Sequence, residues 1–283
     1  MLAPNFIVAA FKTFFNIFKT RHMALLKGIK LTLRSMGPKW VAKEITRRIV
    51  GKPYTYNGIL IKDDATFRLI RNLASKGSVW GQGDKVFFRN KLGVFAVSSK
   101  DIQLLHPFTY EDYEMLYGYL DVKGKTVADI GAYLGETTVL FARMGARLIH
   151  AYEPVFYRLL ERNLRLNNVI NATVHPYGVW IEEDVYGVNL AGFTTGLTIG
   201  GIKITTKPIG DAIVDVVKID CEGCGWALLT LGCQEIRRAG EYAIEIHGPE
   251  PLLVRKLEKC GFRAERIGIF GPMVSIWHFK CSK

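Results

Sequence analysis

The chain has 283 residues, 49% of them hydrophobic and 23% charged, which is the composition of a folded globular protein and excludes an intrinsically disordered one. No apolar run reaches the ~18 residues that crossing a bilayer requires. The net charge of +12 is uneven: residues 1–56 hold eleven Lys/Arg and the single acid Glu44, a local charge of +10. The remaining 227 residues are close to balanced, so any acidic surface is met by the N-terminal arm.

In the arm, residues 1–20 fit an amphipathic helix. Asn5, Lys12, Thr13, Asn16, Lys19 and Thr20 fall in one sector of about 120°, and Phe-rich apolar positions fill the rest. Such a face suits an anionic membrane interface, or packing on the protein itself or on a second subunit. The absence of charge before the apolar stretch argues against a signal peptide. Residues 24–50 read as a second basic helical stretch broken at Gly37-Pro38. Residues 57–107 form a small extension, with a β-hairpin or meander expected over 78–99. A short helix is expected from Thr109, because Glu111 and Asp112 suit a helix N-terminus.

From residue 108 to 283 strands alternate with helices, the pattern of an α/β domain with a parallel sheet. Thr126–Ile130 is a buried strand ending at Gly131, and Gly135 opens a helix. The second strand, Leu148–Tyr152, ends at Glu153. A glycine turn followed by an acid at the next strand end is the arrangement that holds a nucleoside, the acid accepting the ribose hydroxyls. The middle glycine of the dinucleotide fingerprint is missing, so a pyrophosphate is poorly served. Gly124-Lys125-Thr126 imitates a P-loop, but Gly118 lies one residue too far upstream and Thr126 enters a strand. Further strands are expected at 173–175, 214–220 and 242–247, and helices at 226–238 and 250–260. Arg263–Ile267 and Met273–Phe279 should pair antiparallel across a tight link. The insert from Trp180 to Asp211 reads as a hairpin over the crevice.

VADIGAYLGETT (127–138), HAYEP, NLRLNN, VVKIDCEG and AIEIHG together resemble the FkbM family of S-adenosylmethionine-dependent methyltransferases over residues 108–280. The resemblance implies a class I methyltransferase fold: a Rossmann-like seven-stranded sheet with its last strand antiparallel. It implies S-adenosyl-L-methionine as cofactor. Asp129, Gly131 and Gly135 would line its methionine portion, with Ala132 and Tyr133 in the same loop, Glu153 on the ribose and Asp220 near the sulfonium. Tyr133 and Gly225 depart from the family, which often has Asn and a second acid there.

Asp220, Glu222 and His247 stand at strand ends facing one crevice and are the catalytic candidates; a histidine near neutrality suits a general base. Five cysteines without a regular framework favour a reducing, cytoplasmic setting, peripheral on the inner membrane face if the arm binds lipid. Cys221-x-x-Cys224 lies inside the site motif, and Cys233 and Cys260 are unpaired in spacing, so no metal site is expected. The reaction expected is O-methylation of a sugar, glycolipid or small metabolite. The alternatives are an RNA methyltransferase gripping phosphates with the arm, or a cofactor-binding partner subunit without turnover.

Overall fold

The computed structural model describes residues 26–191, 194–198, 201–271 and 273–282. The amphipathic helix expected over 1–20 lies outside them. Helix α1 is described over 26–35, and α2 (Pro38–Val50) follows after Gly37, whose φ of 96° and the proline behind it end one helix and start the next. A two-stranded ladder, β1 (Tyr54–Tyr56) with β2 (Ile59–Ile61), leads to α3 (Asp64–Lys76). That helix is not among the expected elements, although Phe67, Ile70 and Leu73 recur at helical spacing and Asp63 caps it by accepting from the Thr66 amide at 2.7 Å. The expected meander is three antiparallel strands, β3 (Ser78–Gln82), β4 (Lys85–Arg89) and β5 (Val94–Ser98). The helix expected from Thr109 starts later, as α4 (Tyr113–Tyr117) capped by Asp112.

The large sheet follows: β6 (Thr126–Ile130), α5 (Glu136–Arg143), β7 (Leu148–Tyr152), α6 (Tyr157–Leu166), β8 (Ala172–His175) and β9 (Gly178–Trp180). The insert forms β10 (Val185–Ala191), β11 (Thr194–Thr198) and β12 (Ile202–Pro208). With β9 it makes a four-stranded sheet in the order β11-β10-β12-β9, more than the hairpin expected. Then come β13 (Val216–Ile219), α7 (Cys233–Ile236), β14 (Glu241–His247), α8 (Pro251–Lys259), β15 (Phe262–Gly271) and β16 (Val274–Cys281). In place of one helix over 226–238 there is a 3-10 turn at Cys224–Thr230 and the short α7. The backbone is extended at Leu231 and Gly232 between them.

The seven strands lie in the order β15-β16-β14-β13-β6-β7-β8, and β16 runs antiparallel to both of its neighbours. Numbered along the chain this is 6-7-5-4-1-2-3, the Rossmann-like arrangement of class I methyltransferases. The order reverses between β6 and β13, and in open α/β sheets the ligand crevice opens at that switch point, beyond the carboxyl ends of the strands.

The extension shares the sheet's core: Ile61, Phe88 and Phe95 belong to the same buried cluster as Val127, Phe141 and Ile149. Asn163 and Asn167 of α6 seal that junction. The Ala96 amide donates to Asn163 at 2.9 Å, and the Asn167 amide donates to the Val94 carbonyl at 2.7 Å. Both asparagines come from NLRLNN, so part of that motif clamps the extension to the sheet.

The cysteine reading is corrected. Cys221–Cys224 and Cys233–Cys260 are disulfides, the second joining α7 to the residue after α8 with Cα atoms 5.0 Å apart. Sequence spacing hid this, because β14 and α8 intervene before the fold returns Cys260 to Cys233. The ground for favouring a reducing compartment is thereby removed. Among the described residues no helix is long and apolar enough to cross a membrane.

Candidate active site

A cavity of about 630 Å³ opens beyond the carboxyl ends of β6, β7, β13 and β14. Gly131 forms its floor with φ of 76°, and a Cβ there would run into the Asp220 carbonyl. Only glycine lets the β6 turn and the end of β13 approach so closely. Tyr133 follows with φ of 46°, a left-handed conformation that asparagine tolerates better than tyrosine. Here it is held by its amide on Glu153 at 3.1 Å and its hydroxyl on the Leu104 carbonyl at 3.1 Å. Gly135, with φ of 97°, starts α5, where a Cβ would come within 2.8 Å of Leu160.

Glu153 is buried and lines the cavity. Its carboxylate accepts from the amides of Tyr133, Val155 (2.8 Å) and Phe156 (2.9 Å), so about one of its roughly four lone-pair sites stays open to a ligand. Burial raises its pKa, and those three amides hold the rise back.

Asp129 is placed differently from the expectation. It is fully buried and does not line the cavity. It accepts from the Thr137 hydroxyl at 2.8 Å and the Thr138 hydroxyl at 2.6 Å, and pairs with Lys218 at 3.1 Å. Its carboxylate thus anchors the first turn of α5 from beneath. Ala132 and Gly135 are likewise absent from the lining, whereas Gly131, Tyr133, Glu153 and Asp220 meet around the cavity.

Lys218 carries a role that sequence pattern alone did not assign. Its side chain is 2% exposed, its ammonium donates to the Gly131 carbonyl at 2.8 Å, and it lies 3.8 Å from Asp220. Burial opposes its charge, but Asp129 and then Asp220 overcome this and push its pKa to about 12. The lysine therefore pins the glycine turn to two strand-end acids. The sequence signal was a lysine inside an apolar strand, Val216-Val217-Lys218-Ile219.

Asp220 accepts from the Tyr117 hydroxyl at 2.9 Å and hydrogen-bonds the Glu245 carboxyl. Burial works to raise its pKa; Lys218 and those two donors outweigh burial and lower it. Glu245 moves the opposite way, up to about 11, through burial and the Asp220 charge. The two are thereby driven apart, with Asp220 favoured as the carboxylate and Glu245 as the neutral acid. His247 lies between two acids, Nδ1 3.6 Å from Glu222 and Nε2 3.3 Å from Glu245, without hydrogen-bond geometry at Nε2. Burial lowers its pKa against the pull of Asp220, so it is neutral at neutral pH. Glu222 adopts φ of 57° in the loop closed by the Cys221–Cys224 disulfide, and burial with the nearby Asp220 raises its pKa to about 7.

The N-terminal side of the cavity carries two further acids. Burial and Asp220 raise Glu111 to about 7. Glu136 takes the Tyr113 hydroxyl on one oxygen at 3.2 Å, its other oxygen is buried without a partner, and burial raises it to about 8. The insert contributes Trp180, Tyr186, Val188, Ile204 and Thr206 to the opposite wall. At Gly225 a Cβ would sit 3.2 Å from Ile244, so the acid common in the FkbM family would not fit without repacking.

The sequence matches no family model and no curated protein. The structure is similar to M. jannaschii TYW2 in complex with AdoMet, at 13% identity over 82% of this chain and 100% of that chain, with a TM-score of 0.43. It is similar to WT Trm5b from Pyrococcus abyssi at 13% identity, over 84% of this chain and 76% of that one, with a TM-score of 0.40. A third likeness is to ribosomal protein L11 methylase from Lactobacillus delbrueckii subsp. bulgaricus, at 15% identity over 60% and 77% of the respective chains, with a TM-score of 0.39.

Proposed function

We propose that this chain is an S-adenosylmethionine-dependent methyltransferase of the FkbM kind, acting on a hydroxyl of a sugar, glycolipid or small metabolite. The observation that carries the reading is the charge of the cavity. Six carboxyl groups face it, from Glu111, Glu136, Glu153, Asp220, Glu222 and Glu245, against one lysine already paired with Asp129. At neutrality Glu245 and most of Glu136 are protonated, Glu111 and Glu222, near 7, are partly ionised, and Asp220 is ionised. A cationic donor bearing a ribose fits such a cavity, and an anionic diphosphate does not.

Gly131 lets the β6 turn lie against the end of β13 to form the cavity floor, Glu153 keeps a lone-pair site for a ribose hydroxyl, and Asp220 stays ionised beside the cavity. Bound there, the cofactor supplies a methyl group on a sulfonium. The chain's own residues do the rest. Neutral His247 takes the acceptor hydroxyl's proton, and Glu222 beside its Nδ1 steadies the imidazolium that results. The insert wall of Trp180, Tyr186 and Ile204 excludes water and selects the acceptor.

Titration calorimetry of the full chain with S-adenosylmethionine tests the reading. Binding is expected, weakened about 100-fold or more by Glu153→Lys through charge reversal at a buried site. No heat with the wild type, or unchanged affinity in the variant, would overturn it. Labelled-methyl transfer to a cell extract divided into glycan, lipid, RNA and protein then identifies the acceptor. An RNA product would favour the competing reading, which rests on the positive charge of the arm.

A further inference from the structure

We propose that the outward faces of α1 and α2 form a docking surface for a bilayer rich in anionic lipid. This stands independently of the methyltransferase reading. Helix α2 reverses the pattern of an ordinary surface helix. Its outward positions are apolar: Ile45 is 50% exposed, Ile49 79% and Val50 66%. Its two buried residues are charged, Glu44 and Arg47, bound to each other at 2.8 Å with Arg47 also paired with Asp64, and beside them Trp40 packs half-buried against the core. Helix α1 continues the surface with exposed Leu26 and Leu33.

Positive charge interleaves with these side chains. Lys27, Lys30, Arg34, Lys39, Arg48 and Lys52 are exposed, and the one acid of α2, Glu44, is consumed by Arg47 and Arg48. Between α1, α2 and α3 lies a groove of about 190 Å³. Ile29, Val41 and Phe67 line it apolar, and Arg48, Arg68 and Arg71 edge it. Burial, then the neighbouring Arg68 and Arg48 charges, lower the Arg71 pKa against the opposing pull of Glu44.

The two features together select the occupant. A nucleic acid would neutralise the bases and leave the isoleucines in water. A second copy would bury the isoleucines and bring two sets of like charges together. A phospholipid interface satisfies both, because apolar side chains enter the acyl boundary while lysines and arginines reach back to headgroup phosphates.

Flotation of the full chain with phosphatidylcholine vesicles, and with vesicles of equal parts phosphatidylcholine and phosphatidylglycerol, tests the proposal. Binding to the anionic vesicles is expected, falling as salt rises. Ile45→Glu/Ile49→Glu should weaken it at least about tenfold by removing apolar insertion and adding repulsion. Lys30→Ala and Lys39→Ala should each weaken it about fivefold. Both isoleucines are exposed, so a thermal melt should show these variants folded. Unchanged flotation of Ile45→Glu/Ile49→Glu would place the binding elsewhere, in residues 1–20 for instance, and overturn the proposal. So would equal binding to neutral vesicles, or a dimer that this variant dissolves without any vesicle binding.

Discussion

The cavity and the N-terminal helices handle charge in opposite ways. Around the cavity, acids are drawn inside, and each is set by its neighbours: Asp220 is held ionised by Lys218, while Glu245, bonded to Asp220, is kept protonated. On α1 and α2 the bases other than the buried Arg47 lie mostly outward among exposed isoleucines and leucines, where water and salt weaken their mutual effects. Net charge therefore says little until burial is known. Buried charge sets protonation states and specific geometry, whereas exposed charge sets attraction to a surface.

The contrast can be broken first at Lys218. Lys218→Met strips the buried partner from Asp129 and leaves the Gly131 carbonyl without its donor, which should cost about 3–5 kcal/mol in urea denaturation. A loss below about 1 kcal/mol would mean that the cavity charges are no more consequential than those of the arm. Next in size, His247→Ala should lower labelled-methyl transfer about 100-fold while calorimetry shows donor affinity unchanged. In the wild type, transfer should fall with acid as His247 takes up its proton, with a midpoint below the ordinary histidine value of 6.5. A pH profile flat through that range would remove the histidine from the reaction.

A smaller effect is expected at Glu136, whose pKa rises from 4.5 to about 8 on folding. The folded state thus favours its neutral form, and stability from this group is full below pH 4.5 and declines as pH rises to about 8. Glu136→Gln should flatten that decline in thermal melts, and an unchanged slope would show that the carboxyl is solvated in the fold. The smallest effect belongs to the exposed Lys91, paired with Asp112 at 3.2 Å and Glu114 at 2.6 Å. Lys91→Ala should change stability by no more than about 0.5 kcal/mol, and less in high salt. A larger loss would erase the distinction between buried and exposed pairs.

Much of the sheet was legible in the sequence because strand and helix periods are local properties. Thr126–Ile130, Leu148–Tyr152 and the antiparallel final pair fall where hydrophobic runs and glycine turns place them. α3 is not among the expected elements despite its Asp63 cap and its helical spacing of Phe67, Ile70 and Leu73, and the helix expected over 226–238 is interrupted at Leu231-Gly232. In the site, Gly131, Glu153, Asp220, Glu222 and His247 were readable from strand-end position and do line one cavity. Lys218 showed only as a charge inside an apolar strand and Glu245 as an acid inside AIEIHG, because the partner that gives each its role lies across the sheet and is not marked along the chain. Asp129 shows the reverse: its position suggested a ligand contact, and its side chain instead holds Thr137, Thr138 and Lys218.

Local pattern alone determined the α/β alternation, the glycine turn with its following acid, and the concentration of bases before residue 57. Tertiary structure decided the pairing of Cys233 with Cys260, the opposite pKa shifts of Asp220 and Glu245, and the exposure of Ile45 and Ile49. Each of these depends on which distant groups meet and how much water remains between them, and that is a property of the folded arrangement rather than of order along the chain.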